Sequence, residues 1–184
     1  MALNNDNKII KNLRIILLGD AKVGKSTFLM KLIGKKVNKD LEYKPTTGMD
    51  YASYQYIFEN ENFKLDFWDT SGKERYYSLN KMLIKDADAL FFFYDSYYFS
   101  SFEMAKSLVE TYKEDAKKNA IFVLVRSKFD ENLKTNHNKN IVSDEEALEF
   151  ADLNNLYFAH LSIFEKNETG INELLKIALK NYIN

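Results

Sequence analysis

Gly19-Asp20-Ala21-Lys22-Val23-Gly24-Lys25-Ser26 is a complete G-x-x-x-x-G-K-[ST] phosphate loop. The glycines let backbone N–H groups curl around a polyphosphate, Lys25 carries positive charge to its outer oxygens, and the Ser26 hydroxyl is free for Mg²⁺. Chance would place such a pattern in on the order of one per cent of chains this long. The flanks agree with it. Leu13-Arg14-Ile15-Ile16-Leu17-Leu18 is a short apolar run that reads as a buried strand, and Phe28, Leu29, Leu32 and Ile33 then recur at helical spacing. A helix opening behind the loop, from Lys25, Ser26 and Thr27 onward, aims its N–H groups and positive dipole end at the phosphates. Gly34 is expected just past its end, as a C-cap.

Outward from the loop, strands and helices alternate. Tyr51–Phe58 and Phe63–Trp68 read as a hairpin around Glu59-Asn60-Glu61-Asn62, and Leu90–Tyr94 and Ile121–Val125 are the wholly apolar runs of central parallel strands. Ser100 with Glu103, and Ser143 with Glu146, are spaced as capping boxes. The first helix is expected to bury Phe102, Ala105, Leu108, Val109 and Tyr112, the second Ala147, Leu148, Phe150 and Ala151. Leu156–Ala159 is the last strand, and an amphipathic helix carrying Ile171, Leu174, Leu175, Ala178, Leu179 and Tyr182 closes the chain. The pattern predicts an α/β domain over 13–184: a mostly parallel six-stranded sheet, one antiparallel edge hairpin, helices on both faces, and residues 1–12 as a flexible extension. Ligand belongs at the carboxyl ends of the strands.

Composition sets the outer limits. The chain has 184 residues, 46% apolar, with 26 basic and 27 acidic residues and no cysteine. A near-neutral charge gives no electrostatic case for nucleic acid. The absence of thiols removes disulfides, thiolate metal sites, a cysteine nucleophile, prenylation and palmitoylation. No apolar run approaches the roughly 20 residues of a membrane span, and the first residues lack a signal-peptide core, so a cytoplasmic monomer without its own lipid anchor is expected.

Three further motifs follow predicted strands or precede the hairpin. Trp68-Asp69-Thr70-Ser71-Gly72-Lys73-Glu74 offers an acid to a Mg²⁺ shell and a Gly72 N–H to a γ-phosphate. Lys128-Phe129-Asp130 offers a carboxylate to guanine, whose N1–H and 2-amino group are adjacent donors; adenine presents an acceptor and a C–H there. Pro45-Thr46-Thr47-Gly48-Met49-Asp50-Tyr51 offers a hydroxyl to Mg²⁺.

With these residues in view, the chain from about Leu13 onward resembles the Ras superfamily of small GTPases, and within it the Rab branch. The Pro45–Tyr51 segment looks like the Rab P-T-I-G-V-D-F, Lys64-Leu65-Asp66-Phe67-Trp68 like K-L-Q-I-W, Arg75-Tyr76-Tyr77-Ser78-Leu79 like R-F-R-S-I, and Tyr94-Asp95 like the Y-D pair. The resemblance implies a GTP/GDP switch with Mg²⁺. Nucleotide would be held by Gly19, Asp20, Ala21, Lys22, Val23, Gly24, Lys25, Ser26 and Thr27, and by Thr46, Gly72, Ser127, Lys128, Asp130, Ser162, Ile163 and Phe164. Ser26 and Thr46 would ligate the metal directly and Asp69 through water. Lys25, Gly72 and the residue at position 73 would act in catalysis, with Lys128 packed on the base and bracing the phosphate loop. Partners implied are effector, exchange-factor and GAP proteins reading the loops near Thr46 and Gly72. The setting implied is vesicle traffic, peripheral to endomembranes where a lipid-bearing tail is present.

The departures are as telling. Lys73 stands where the family has the glutamine that orients attacking water. A donor-only ammonium cannot do this; it either lies against the γ-phosphate or is solvated, and both predict slow hydrolysis. Ser127 replaces the asparagine of N-K-x-D, a loss of roughly 1–3 kcal/mol of hydrogen bonding. Ser162-Ile163-Phe164 replaces S-A-K: Ile163 still supplies a backbone N–H, and Phe164 either covers the base or fills the core. No aromatic residue precedes Thr46 at the place that covers guanine, where Lys39 or Leu41 falls. The rival function is a pseudoGTPase, a constitutive scaffold that binds nucleotide without cycling.

Overall fold

The computed structural model describes residues 2–3, 9–37, 46, 48–71, 77–128, 141–163 and 169–183. Its strands are β1 (Ala2–Leu3), β2 (Ile9–Gly19), β3 (Met49–Phe58), β4 (Glu61–Thr70), β5 (Ala89–Asp95), β6 (Ile121–Ser127) and β7 (Tyr157–Leu161). The helices are α1 (Lys25–Leu32), α2 (Tyr77–Ile84), α3 (Phe99–Tyr112), α4 (Asp144–Asn154) and α5 (Thr169–Ile183).

Six strands run in the order β3-β4-β2-β5-β6-β7, all neighbours parallel except the β3–β4 hairpin. The expected sheet is present, with one addition. The strand before the phosphate loop starts at Ile9 rather than Leu13, inside the stretch expected to be an extension. Because β5 joins β2 only from Ile15, the lower part of that edge is left for Ala2–Leu3 to pair antiparallel with Ile9–Ile10.

Alternation along the strands builds two cores. Leu13, Ile15, Leu17, Phe91 and Phe93 face α1 and α5, while Ile16, Leu18, Leu90, Phe92 and Tyr94 face α2, α3 and α4. Ile15–Leu18 of β2 and Ala89–Tyr94 of β5 are buried on both faces, which is why these stretches read as unbroken apolar runs.

Several local expectations change. The hairpin turn is two residues, Glu59 (φ 49°) and Asn60 (φ 64°), so β4 begins at Glu61 and extends to Thr70. The Ser100/Glu103 box does not form. The α3 helix starts at Phe99 behind Tyr98 with no side-chain cap, and Ser101 Oγ instead donates to Tyr98 O (2.7 Å) and accepts from Asp95 N (2.9 Å). Half of the second box is present, with Glu146 N donating to Ser143 Oγ at 3.1 Å. Leu148, Tyr182 and Ile33, expected inside, are exposed. Ile33 is the α1 C-cap, and Gly34 (φ 75°) follows it as expected. Its N–H reaches Lys31 O while Lys35 N reaches Met30 O, the two bonds of a Schellman ending. The α2 helix (Tyr77–Ile84) has no counterpart among the elements expected from the sequence.

Candidate functional site

The phosphate loop emerges from the carboxyl end of β2 and turns into α1 within five residues, Asp20 to Gly24. Gly19 makes this possible. Its φ is +136°, and a Cβ there would sit 2.3 Å from Phe93 O on the paired strand. Lys22 (φ 67°) and Gly24 (φ 101°) add left-handed turns that curl the loop. Gly24 is also the α1 N-cap; no side chain caps the helix and no acid sits in its first turn. The N-cap therefore offers no side-chain acceptor to the first-turn N–H groups, which suits an anion site.

Lys25 lies inside this curl, 5% exposed, its Nζ donating to Gly19 O (2.7 Å) and Asp20 O (2.7 Å). Burial pushes its pKa down to about 8, against the opposing attraction of Asp69 and Asp20. Asp20 is folded onto the loop, its Oδ1 accepting from Ala21 N at 2.6 Å. Val23 is buried in the core beneath, and Thr27 follows Ser26 in the first turn of α1.

Beside Lys25, three oxygens from three distant segments meet. Ser26 Oγ donates to Asp69 Oδ2 (2.5 Å) and lies 2.9 Å from Thr46 Oγ1, which is 3.4 Å from the same carboxylate oxygen. The end of β4 delivers Asp69, and the segment entering β3 delivers Thr46. The two segments are held together by Ser71 N donating to Gly48 O at 3.0 Å. Asp69 is fully buried, and its second oxygen, Oδ1, has no hydrogen-bond partner among the described residues. Burial raises its pKa, with Ser26 and Lys25 opposing the shift. Uncompensated carboxylate oxygen next to two hydroxyls is a hard-oxygen donor set that fits Mg²⁺.

The second half of the expected site approaches from β6 and β7. A Cβ on Gly24 would meet Ile163 Cδ1 at 3.8 Å and Ser127 Cβ and Oγ at 3.9 Å, so three motifs far apart in sequence converge. Ser127 is fully buried. Its hydroxyl lies 2.5 Å from Val23 O in the phosphate loop and 2.8 Å from Tyr94 O, one proton between two carbonyls. Lys128 (φ 56°) places its Nζ on Asp95 Oδ2 at 2.6 Å, not on the phosphate loop, while Tyr97 N donates to Asp95 Oδ1 at 3.0 Å. Ser162 is half-buried at the end of β7. Gly72, Lys73, Asp130 and Phe164 lie outside the described residues, as do Thr47, Lys39 and Leu41.

Sequence reasoning missed Ser96 and Arg126. Arg126 was visible as a lone charge closing the apolar run Ile121–Val125, and its side chain is as buried as that run.

Comparison with known proteins identifies the family. The model of the Ras family matches residues 14–184. The chain is 31% identical to the GTP-binding protein ypt3 of Schizosaccharomyces pombe over 170 residues, 89% of this chain and 76% of that protein. It is 31% identical to the Ras-related protein Rab-5A of Dictyostelium discoideum over 180 residues, 97% of this chain and 84% of that one. A Ras and EF-hand domain-containing protein homolog of Caenorhabditis elegans is 34% identical over 136 residues, 73% of this chain but 21% of its own length.

Proposed function

The chain belongs to the Ras family and is a Rab-like small GTPase; on that premise we propose a guanine-nucleotide switch whose own hydrolysis is slow, working in vesicle traffic or signalling. The observation that carries it is the Ser26–Thr46–Asp69 convergence beside Lys25. Ser26, Thr46 and Asp69 would hold Mg²⁺, which when bound neutralises charge on the phosphate oxygens. Lys25 exchanges two carbonyl acceptors for phosphate oxygens as nucleotide enters. Thr46 lies in the segment entering β3, so that segment would be held by Mg²⁺ when Thr46 joins the metal in the triphosphate state. Loss of the γ-phosphate releases it.

On this reading Asp130 selects guanine, Ser162 and Ile163 border the base, and Gly72 meets the γ-phosphate. Lys73 slows the chemical step by removing the water-orienting amide. Effector, exchange and GAP proteins read the Thr46 and Gly72 segments.

The test is single-turnover hydrolysis with competing nucleotides. The parent chain prefers GTP to ATP and holds GTP for hours, and Lys73→Gln hydrolyses it about tenfold faster, roughly 1.4 kcal/mol of barrier. Equal ATP and GTP affinity, or parent hydrolysis as fast as the variant, refutes the reading. One observation favours the scaffold alternative: the Ser127 hydroxyl is spent on two backbone carbonyls. No hydrolysis by either protein would select that alternative.

A further inference from the structure

Two buried oxygens at the end of β4 have no hydrogen-bond partner among the described residues: Asp69 Oδ1, in the metal set, and Ser71 Oγ. Ser71 is 4% exposed, so bulk water does not serve its hydroxyl. Thr70, between them, shows how the fold satisfies such a group, its Oγ1 donating to Leu17 O at 2.7 Å. Ser71 finds no such carbonyl, and the two orphaned oxygens do not bond to each other.

A buried hydroxyl without a partner disfavours the fold, and an alanine in its place would remove that cost. Such a group in a native chain asks for a partner from outside the chain. Its place in the fold says where that partner would be. Ser71 N donates to Gly48 O at 3.0 Å, two residues past Thr46. Ser71 itself lies two residues past Asp69, at most about 7 Å along an extended chain. The two-residue period of a strand puts position 71 on the side of Asp69. Asp69 and Thr46 meet Ser26 beside Lys25, so Ser71 is joined to both segments that converge on the metal and phosphate site.

We propose that Ser71 is a specificity-determining residue of the switch: its hydroxyl donates to an oxygen of the terminal phosphate, a contact that a triphosphate supplies and a diphosphate does not. This rests on the reading that Ser26, Thr46 and Asp69 hold Mg²⁺ against the phosphates. Terminal phosphate oxygens are charged acceptors, and a hydroxyl that donates to a charged oxygen makes one of the stronger hydrogen bonds. Because the bond is already made to bound triphosphate, it holds the GTP state without speeding hydrolysis. Ser71 and Lys73 then act in the same direction, one holding the triphosphate and the other leaving it uncut.

The experiment uses the full chain with Ser71→Ala and Ser71→Cys, the second keeping a side chain of similar shape with a weak donor. It measures, in magnesium, the release of GDP and of a non-hydrolysable GTP analogue, and the melting of the GDP-bound chain. Both variants should release the analogue about tenfold faster, with GDP release within about twofold of the parent. Melting of GDP-bound Ser71→Ala should be parental or higher, since the substitution removes an unmet polar group. Equal acceleration of both nucleotides would assign the hydroxyl to the metal's water shell or to the loop itself, and overturns the proposal. Parental release of the analogue by either variant overturns it too, as does lowered melting of Ser71→Ala, which would reveal a partner inside the protein. A parent chain that holds the analogue no more tightly in magnesium than in EDTA refutes the underlying metal reading, and the proposal with it.

Discussion

Replacing Ser127 by alanine removes one proton from the junction between the phosphate loop and the base side of the site. The hydroxyl is fully buried between Val23 O and Tyr94 O, so water does not reach it in the folded chain. Its one proton serves both carbonyls, so the loss is that of one buried hydrogen bond plus the poorer solvation left behind, about 1–3 kcal/mol. For a domain of this size each kcal/mol lowers the melting temperature by roughly 2–4 °C, so a central value near 2 kcal/mol gives a fall of roughly 4–8 °C. The bonds that Ser96 makes to the Ser127 carbonyl are unaffected by the substitution. What slackens is the tie to Val23, one residue before Gly24 and two before Lys25. If about half of the loss is expressed at the nucleotide, GDP release accelerates roughly fivefold. Ser127→Asn moves the other way. An amide has a second donor, so it can serve both carbonyls or add a bond that the single serine proton leaves unmade. Its release should be slower than that of the parent, by up to the same 1–3 kcal/mol. Stopped-flow release with a fluorescent GDP, alongside melting curves, should rank Ala fastest, Ser next and Asn slowest. Parental release and melting in Ser127→Ala would refute the brace. Release by Ser127→Asn at or above the alanine rate would refute the gain expected from the second donor.

Gly19→Ala should lower the melting temperature by roughly 6–12 °C, because left-handed strain of about 1–3 kcal/mol adds to a contact with the Phe93 carbonyl that neither backbone can easily relieve; a shift under 2 °C would contradict the geometry. Thr46→Ala should speed release of a non-hydrolysable GTP analogue in magnesium about fivefold while leaving GDP release near parental, and an equal effect on both nucleotides would remove Thr46 from the switch. With magnesium chelated, GDP affinity should fall with rising pH. The pKa of Lys25 lies near 8 in the nucleotide-free chain, below its ordinary value, so the folded protein holds less of that proton than the unfolded one between pH 8 and 10.5. Burial thus penalises the ammonium at low pH and relents as pH rises, while the phosphates demand the charged form. Titration calorimetry should show affinity about tenfold weaker at pH 9 than at pH 7, with proton uptake on binding at pH 9; a flat profile would place the Lys25 pKa elsewhere.

The limits of the sequence are local and have physical causes. The helix preceded by Ser100 was expected to start from a capping box, yet Ser101 takes over the turn because its hydroxyl can reach both Tyr98 O and Asp95 N. Spacing rules see the residue types but not which serine the end of β5 brings close. The polar run Glu59–Asn62 reads as a four-residue turn, whereas the register of β3 on β4 leaves only Glu59 and Asn60, both left-handed, outside the strands. The start of β2 at Ile9 leaves no mark in the sequence, because its edge is completed by Ala2–Leu3, a pairing with no pattern of its own over two residues.

The sequence by itself determined the phosphate loop, the six-strand order of elements and the family, because these depend on contiguous runs: glycines at fixed offsets, unbroken apolar strands, helical periodicity. Only the tertiary structure decided what Ser127 and Arg126 do. The Ser127 hydroxyl meets a carbonyl 104 positions away, and Arg126 reaches Ser96, Val142 and Asp144 from the end of a strand that looks wholly apolar. A buried polar group takes its role from the acceptors that the fold packs around it, and backbone carbonyls, which every residue carries, leave no mark in the sequence.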